Sequence, residues 1–389
     1  MSEPSCYLVT GATGVVGSAF VERVLTETAD SLLLVIRSRS NVAPTARLDA
    51  LFRFWDLGTL ERAARARVRV LAGDTEAPRL GLSTEDWALA TTTATHAVHA
   101  AAIVKMNLPI DEARRAAVSS MQGVLAFAAD AAQHRLRKVD LVSTVGIGGR
   151  RSEPLEEDWL ETPRAFHNTY EEAKADAERV AHRALANGVP LTVLRPSMVV
   201  GDSRSGKAIA PQIFSYLCEF LTGTRVHGLF PPLTNARLDV VPVDWVSRLL
   251  LTSSRMPDWV GRVLHACSAE ASVSLVHLRE RVQRLASAQG RRVLHRATLP
   301  LEAFRKASSL GRLVGSSRAR KASALLDILL AYLEDEQRFE NRRTLALAAE
   351  AGLTFPRPEG YLDTVVRECF LQRGAPSSLP RGARAKARI

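Results

Sequence analysis

Residues 9–20 read VTGATGVVGSAF, with Gly11, Gly14 and Gly17 spaced three apart. The apolar run CYLVT (6–10) precedes them and an amphipathic stretch over 15–27 follows. That order, strand then glycine turn then helix, decides the fold. Gly11 permits the tight turn and Gly14 lets backbone approach a pyrophosphate, while Gly17 lets the helix lie close to the sheet. The amide groups of the helix start then face the phosphates. A bare glycine triplet fits any tight turn, but the flanking strand and helix point to a dinucleotide site, which Thr13, Val15 and Val16 would share.

Outward from this turn, short apolar runs alternate with longer amphipathic stretches up to about residue 245. The runs are CYLVT, SLLLVI (31–36), RVRVLAG (67–73), THAVHAAA (95–102), KVDLVST (138–144), LTVLRPSMVV (191–200) and LDVVPV (238–243). Helical spacing marks 15–27, 109–134 and 168–187. Such alternation predicts an α/β protein with a doubly wound parallel sheet, a Rossmann-type core. The runs are apolar throughout, as strands covered on both faces should be. Beyond about 255 the strand signal fades and helical patterning takes over. The expected division is a cofactor-binding core over 1–255, with an excursion at 202–236 joining the substrate side. A smaller, mostly helical substrate subdomain follows over 256–371, then a disordered basic tail over 372–389.

At the end of the second run, LLLVIRSRS, a cofactor lacking a 2′-phosphate would want an acidic residue for its ribose. The chain offers Arg37 instead, with Arg39 two residues on and Arg47 on the next helix. A guanidinium suits a phosphate. Arg37 therefore points to NADPH, while Arg39 and Arg47 read equally well as solvated surface groups.

The fifth run ends in Ser143 and Thr144, on the edge where open α/β sheets bind ligands. YEEAK (170–174) follows on a helix, with Tyr170 and Lys174 stacked on one face at i, i+4. LRPSMVVGDSRSG (194–206) closes the sixth run. Together these motifs resemble the short-chain dehydrogenase/reductase superfamily in its extended form, over roughly residues 5–250. GDTEAPRLGLSTEDW (73–87), HAAAIV (99–104), STVGI, YEEAKADAE and GDSRSG are similar to thioester reductases and fatty acyl-CoA reductases of the male-sterility type.

The resemblance makes Thr144, Tyr170 and Lys174 the catalytic set, with Lys174 also holding the nicotinamide ribose. It places Asp74, Ala100, Ala101, Ser143, Pro196, Ser197 and Val199 at the cofactor beside the glycine turn. It also exposes two departures. Ser120 stands where the family carries an Asn, three residues ahead of Gly123. Gly148 replaces a common tyrosine, which predicts extra room over the site.

The chemistry asks for these groups independently of the resemblance. Hydride addition to a carbonyl leaves negative charge on oxygen, so a donor must already be aimed there. Tyr170 supplies the proton, Lys174 is expected to lower the phenol's pKa, and Thr144 adds a second hydrogen bond.

Composition bounds the rest. A chain of 389 residues with 46% hydrophobic and 24% charged content is an ordinary globular mixture. No run reaches the ~20 apolar residues of a membrane span, and the start lacks a leader pattern, so a cytoplasmic location is expected. Four scattered cysteines show no metal-ligand spacing. His96 and His99 would point to opposite faces of a strand, which excludes a metal pair. Of the net charge of +11, much lies between Arg279 and Lys321, where twelve Arg/Lys face two Glu. Without interleaved aromatics this is no nucleic-acid signature.

The substrate expected is an acyl thioester on coenzyme A or a carrier protein, giving aldehyde or alcohol in lipid or secondary metabolism. No adenylation or carrier domain is expected ahead of the reductase, which weighs against it. Two alternatives stay open: a free ketone or quinone-like carbonyl, and a non-catalytic NADPH-sensing role. The basic stretch beside ASALLDILLAYL (322–333) would attract a carrier protein, coenzyme A or an anionic membrane surface; it is equally a solvated face. Monomer and homodimer are both compatible with the sequence.

Overall fold

The computed structural model describes residues 4–38, 42–106, 108–234, 236–306, 330, 332 and 337–374. The basic cluster around Arg318, Arg320 and Lys321, Arg39, and nearly all of 322–333 lie outside the described residues, as does the tail beyond Gly374.

Seven parallel strands form the central sheet: β1 (Cys6–Thr10), β2 (Ser31–Ile36), β3 (Val68–Ala72), β4 (His96–His99), β5 (Lys138–Val142), β6 (Leu191–Pro196) and β11 (Val263–Ala266). Their order is β11-β6-β5-β4-β1-β2-β3. The chain reverses direction of travel between β1 and β4, and open sheets bind ligands at such a switch.

The helices follow the apolar spacing. On one face lie α1 (Val15–Glu27), α2 (Pro44–Trp55), the short α3 (Glu61–Ala66) and α8 (Val243–Ser254); on the other lie α4 (Thr84–Thr93), α5 (Ile110–Ala132) and α6 (Thr169–Ala186). Successive strand residues alternate between the two layers. Tyr7 and Val9 pack with Phe20, Phe52 and Leu249, whereas Cys6 and Leu8 pack with Trp87, Phe127 and Ala181. Truncating a fully buried ring such as Phe20 to alanine would cost roughly 3–5 kcal/mol.

Two strand expectations shift. Residues 238–243 do not extend the sheet. Their middle forms β10 (Val240–Pro242), which pairs with β7 (Met198–Val200) in a separate small ladder. The sheet's seventh strand is β11, beyond residue 255, and it lies against β6.

A second apolar cluster joins α7 (Ile213–Leu221), α9 (Leu275–Ala288) and α11 (Pro358–Gly374), with α10 (Arg342–Glu350) returning to the first. Two further ladders tie this side together: β8 (Leu229–Phe230) with β13 (Ala297–Thr298), and β9 (Arg237–Leu238) with β12 (Val273–Ser274). Among the described residues no helix is long and apolar enough to cross a membrane.

Candidate active site

The glycine turn is built for close approach. Gly11 has φ +76°, and a Cβ there would stand 2.4 Å from the Ala100 carbonyl carbon and the Ala101 amide nitrogen. A Cβ on Gly17 would sit 2.2 Å from the Gly11 oxygen, so the helix meets the turn only because Gly17 lacks a side chain. Gly14 is the N-cap of α1 and gives it no side-chain cap. The first amides of a helix have no intrahelical acceptor, which fits this turn to a pyrophosphate.

At the tip of β2, Arg37 places its guanidinium 3.2 Å from both Asp74 and Glu76. Arg47 reaches across from α2, donating to the Arg37 carbonyl at 2.7 Å and to the Thr13 hydroxyl. The structure thus gathers Thr13, Arg37, Arg47 and Asp74 beside the glycine turn.

A cavity of about 1210 Å³ opens at the carboxyl ends of the strands. Gly14, Val15 and Val16 line it from the turn, with Ala100 from the end of β4 and Ser143 and Thr144 from the end of β5. Tyr170 and Lys174 enter from α6; Pro196, Ser197 and Val199 enter after β6. Across from them stand Leu217, Phe220 and Leu221 of α7 and Leu275 of α9.

The three groups expected to be catalytic are held individually. Thr144 caps a 3₁₀ turn, its hydroxyl accepting from Gly146 N at 3.1 Å, which leaves its proton for an acceptor in the cavity. Lys174 is 7% exposed and donates to the Val142 carbonyl at 3.0 Å. Burial pulls the pKa of this lysine down to about 8, against the opposing charge of Glu178. Tyr170 departs from expectation: burial and then the Glu171 carboxylate push its pKa up rather than down. The phenol is therefore held protonated, the form a proton donor needs.

Packing bears on three further positions. Ser143 lines the cavity, and its hydroxyl donates to Glu178 at 2.6 Å. Ser120, 5% exposed, finds no hydrogen-bond partner among the described residues, so it offers no link toward Lys174. The room expected at Gly148 is taken by Leu155, whose side chain would lie 3.3 Å from an added Cβ.

His99 bonds Thr10 at 2.7 Å; burial, helped by Lys174, lowers its pKa to about 3 and keeps it neutral. His96 stacks on Tyr7. Among the described residues no cluster of acidic, histidine or cysteine side chains could hold a metal ion.

Fold and site together define a Rossmann-type oxidoreductase of the extended short-chain dehydrogenase/reductase kind, working with a nicotinamide dinucleotide. The chain belongs to the male sterility protein family, whose model matches residues 9–250.

Among curated proteins it is similar to a linear gramicidin synthase of Brevibacillus parabrevis, 26% identical over 68% of this chain and 5% of that one. It is also similar to aldehyde reductase lnaA of Aspergillus flavus, 28% identical over 69% of this chain and 26% of that protein. The chain thus spans only a small part of these curated relatives. Among solved structures, the terminal R domain from the myxalamid biosynthetic pathway superposes with a TM-score of 0.79 at 24% identity, covering 98% of this chain and 94% of that one. A thiolation–reductase di-domain from an archaeal non-ribosomal peptide synthetase gives 0.73 at 17%, covering 96% and 76%. These likenesses speak for the fold.

Proposed function

We propose that the enzyme uses NADPH to reduce an acyl thioester, borne by coenzyme A or a carrier protein, to an aldehyde. The observation that carries this reading is one continuous cavity. It runs from the glycine turn, past Thr144, Tyr170 and Lys174, to the apolar wall of α7 and α9, and Arg237, Arg338, Arg342 and Arg357 also line it. An acyl group suits the apolar wall. The phosphate of a pantetheine arm suits the arginines. Similarity to a gramicidin synthase and to a thiolation–reductase di-domain supports the same substrate class.

The bound cofactor supplies the hydride. Tyr170 and Thr144 then bond the thioester oxygen as it gains negative charge, and Tyr170 is poised to donate its proton. Carbon–sulfur cleavage then returns the hydroxyl's proton to the leaving sulfur, releasing the thiol and leaving the aldehyde. Lys174 would hold the cofactor's ribose. The preference for the phosphorylated cofactor rests on Arg37 and Arg47, which converge on the turn where an acidic residue would favour NADH. The core of 1–255 is read as the cofactor side and 256–371 as the substrate side, with β11 crossing between them.

The test is NADPH oxidation by the purified protein against acyl-CoA, acyl carrier protein and a ketone panel, with product identified by mass spectrometry. Aldehyde or alcohol from a thioester supports the proposal. Turnover of ketones alone makes it a ketone reductase, and cofactor binding without turnover of any substrate makes it a sensor.

A further inference from the structure

Tyr170 is the second residue of α6, in the turn where a helix is least secure because its first amides have no intrahelical acceptors. Asn168 satisfies one of them, its side chain accepting from Glu171 N at 3.0 Å. Glu171 turns back in exchange: its carboxylate accepts from His167 N at 3.0 Å and lies 3.0 Å from His167 Nδ1. This is a reciprocal helix cap, shifted back by one residue from the usual capping box.

A third member comes from far along the chain. Tyr332 donates its hydroxyl to Glu171 Oε1 at 2.6 Å and accepts from Asn168 Nδ2 at 2.8 Å. Its ring stacks on His167, centroids 4.8 Å apart. Residues 337–340 dock on the same region. Gln337 reaches the Gly149 carbonyl at 3.4 Å, and Leu155 pairs with the backbone of Arg338 and Glu340 at 2.9 Å each.

Glu171 is 1% exposed. A carboxylate so buried depends on every donor it has, and losing one is costly. Its neighbour in sequence is the catalytic phenol, whose aim must hold within about an ångström; a misplacement of that size costs about 10² in rate.

We propose that Tyr332 is a positioning residue for the reaction: its hydroxyl closes the cap beneath Tyr170, so the catalytic phenol is aimed only while Tyr332 holds Glu171 and Asn168. The inference rests on Tyr170 as proton donor. Neither the glycine turn nor the apolar wall of the cavity takes part in it.

The test begins with Tyr332→Phe, which keeps the ring on His167 and removes only the hydroxyl. The single-turnover rate should fall about tenfold, with KM and NADPH affinity unchanged and the melting temperature lowered by the donor lost to a buried carboxylate. Amide hydrogen exchange at residues 170–174 should quicken, a readout that needs no substrate. Glu171→Gln should slow the same step, and the double variant should be no worse than the worse single one, because Tyr332 acts through Glu171.

Unchanged rate and exchange in Tyr332→Phe would overturn the proposal. So would losses that multiply in the double variant, or a parallel fall of rate, cofactor affinity and melting temperature, which would mark a merely structural contact. Tyr170→Phe separates the two readings: if it keeps full activity the donor assignment itself fails, whereas its inactivity beside a fully active Tyr332→Phe sinks only the role of Tyr332.

Discussion

Glu178 lies one helical turn beyond Lys174, and its carboxylate grips the fully buried guanidinium of Arg195 on β6. The same carboxylate accepts from Ser143, while Arg195 also donates to the Asp158 carbonyl at 2.9 Å. A buried ion pair sits directly behind Lys174. Removing one partner leaves the other charge unpaired in the interior, which typically costs 3–5 kcal/mol. Glu178→Gln should accordingly lower stability by about 3 kcal/mol in chemical denaturation. A loss below about 1 kcal/mol would show that the pair is better solvated than its burial implies.

Cofactor choice gives the second expectation. NADPH should bind at least tenfold more tightly than NADH, a difference of ~1.4 kcal/mol. Arg37 already faces Asp74 and Glu76, so Arg37→Asp should both remove the cation and add repulsion, erasing or inverting the preference. Arg47→Ala should weaken NADPH more than NADH. Equal affinities for the two cofactors in the unaltered protein, measured by fluorescence titration, would defeat this assignment.

Proton transfer gives the third. Tyr170→Phe removes the donor but leaves the glycine turn intact, so turnover should drop about 10² or more while NADPH affinity changes little. Lys174→Ala should impair both. Stopped-flow hydride transfer with parallel cofactor titration resolves the two variants.

Lys174 also sets a pH dependence. Its folded pKa is depressed to about 8 by burial, so the ammonium is present below that pH and lost above it. If the charged form holds the cofactor ribose, kcat/KM should fall as pH rises through about 8 in the free enzyme. Replacing Glu178 by Gln removes the charge that favours the ammonium and should move this fall to lower pH. The measurement is kcat/KM across pH 6–10; a flat profile would mean that Lys174 acts without its charge.

Much of this was legible in the residues because local spacing carried it. The glycine triplet, the helical stretches at 15–27, 109–134 and 168–187, and the Tyr–Lys pair all lie within one strand–helix unit, and each has a period to read. β11 has only four residues and follows a turn at Pro257, too short for a pattern to stand out from the helical region around it. β10 looked like a sheet strand because its residues are apolar, but composition does not say which neighbour a strand will choose. Glu178 could have been found, since it repeats the i, i+4 step from Lys174. Tyr332 could not, because it meets Glu171 across 161 residues and no periodicity reaches that far. The pKa of Tyr170 reversed expectation for a related reason: burial and the Glu171 charge are properties of packing, not of the five letters YEEAK.

The position of β11 has a practical consequence for dissecting the protein. This strand covers the edge of β6, yet it lies past residue 250, where the family match ends. A fragment cut at 255 would keep the whole cofactor turn but leave β6 as a bare edge, with Arg195 stripped of its contact with His265 and the core missing the buried Trp259. Unpaired edges of this kind recruit other strands, so such a fragment should aggregate on expression. A synthetic peptide spanning 257–268, added in trans, is the natural donor strand for that edge and should restore a soluble, cofactor-binding half-protein.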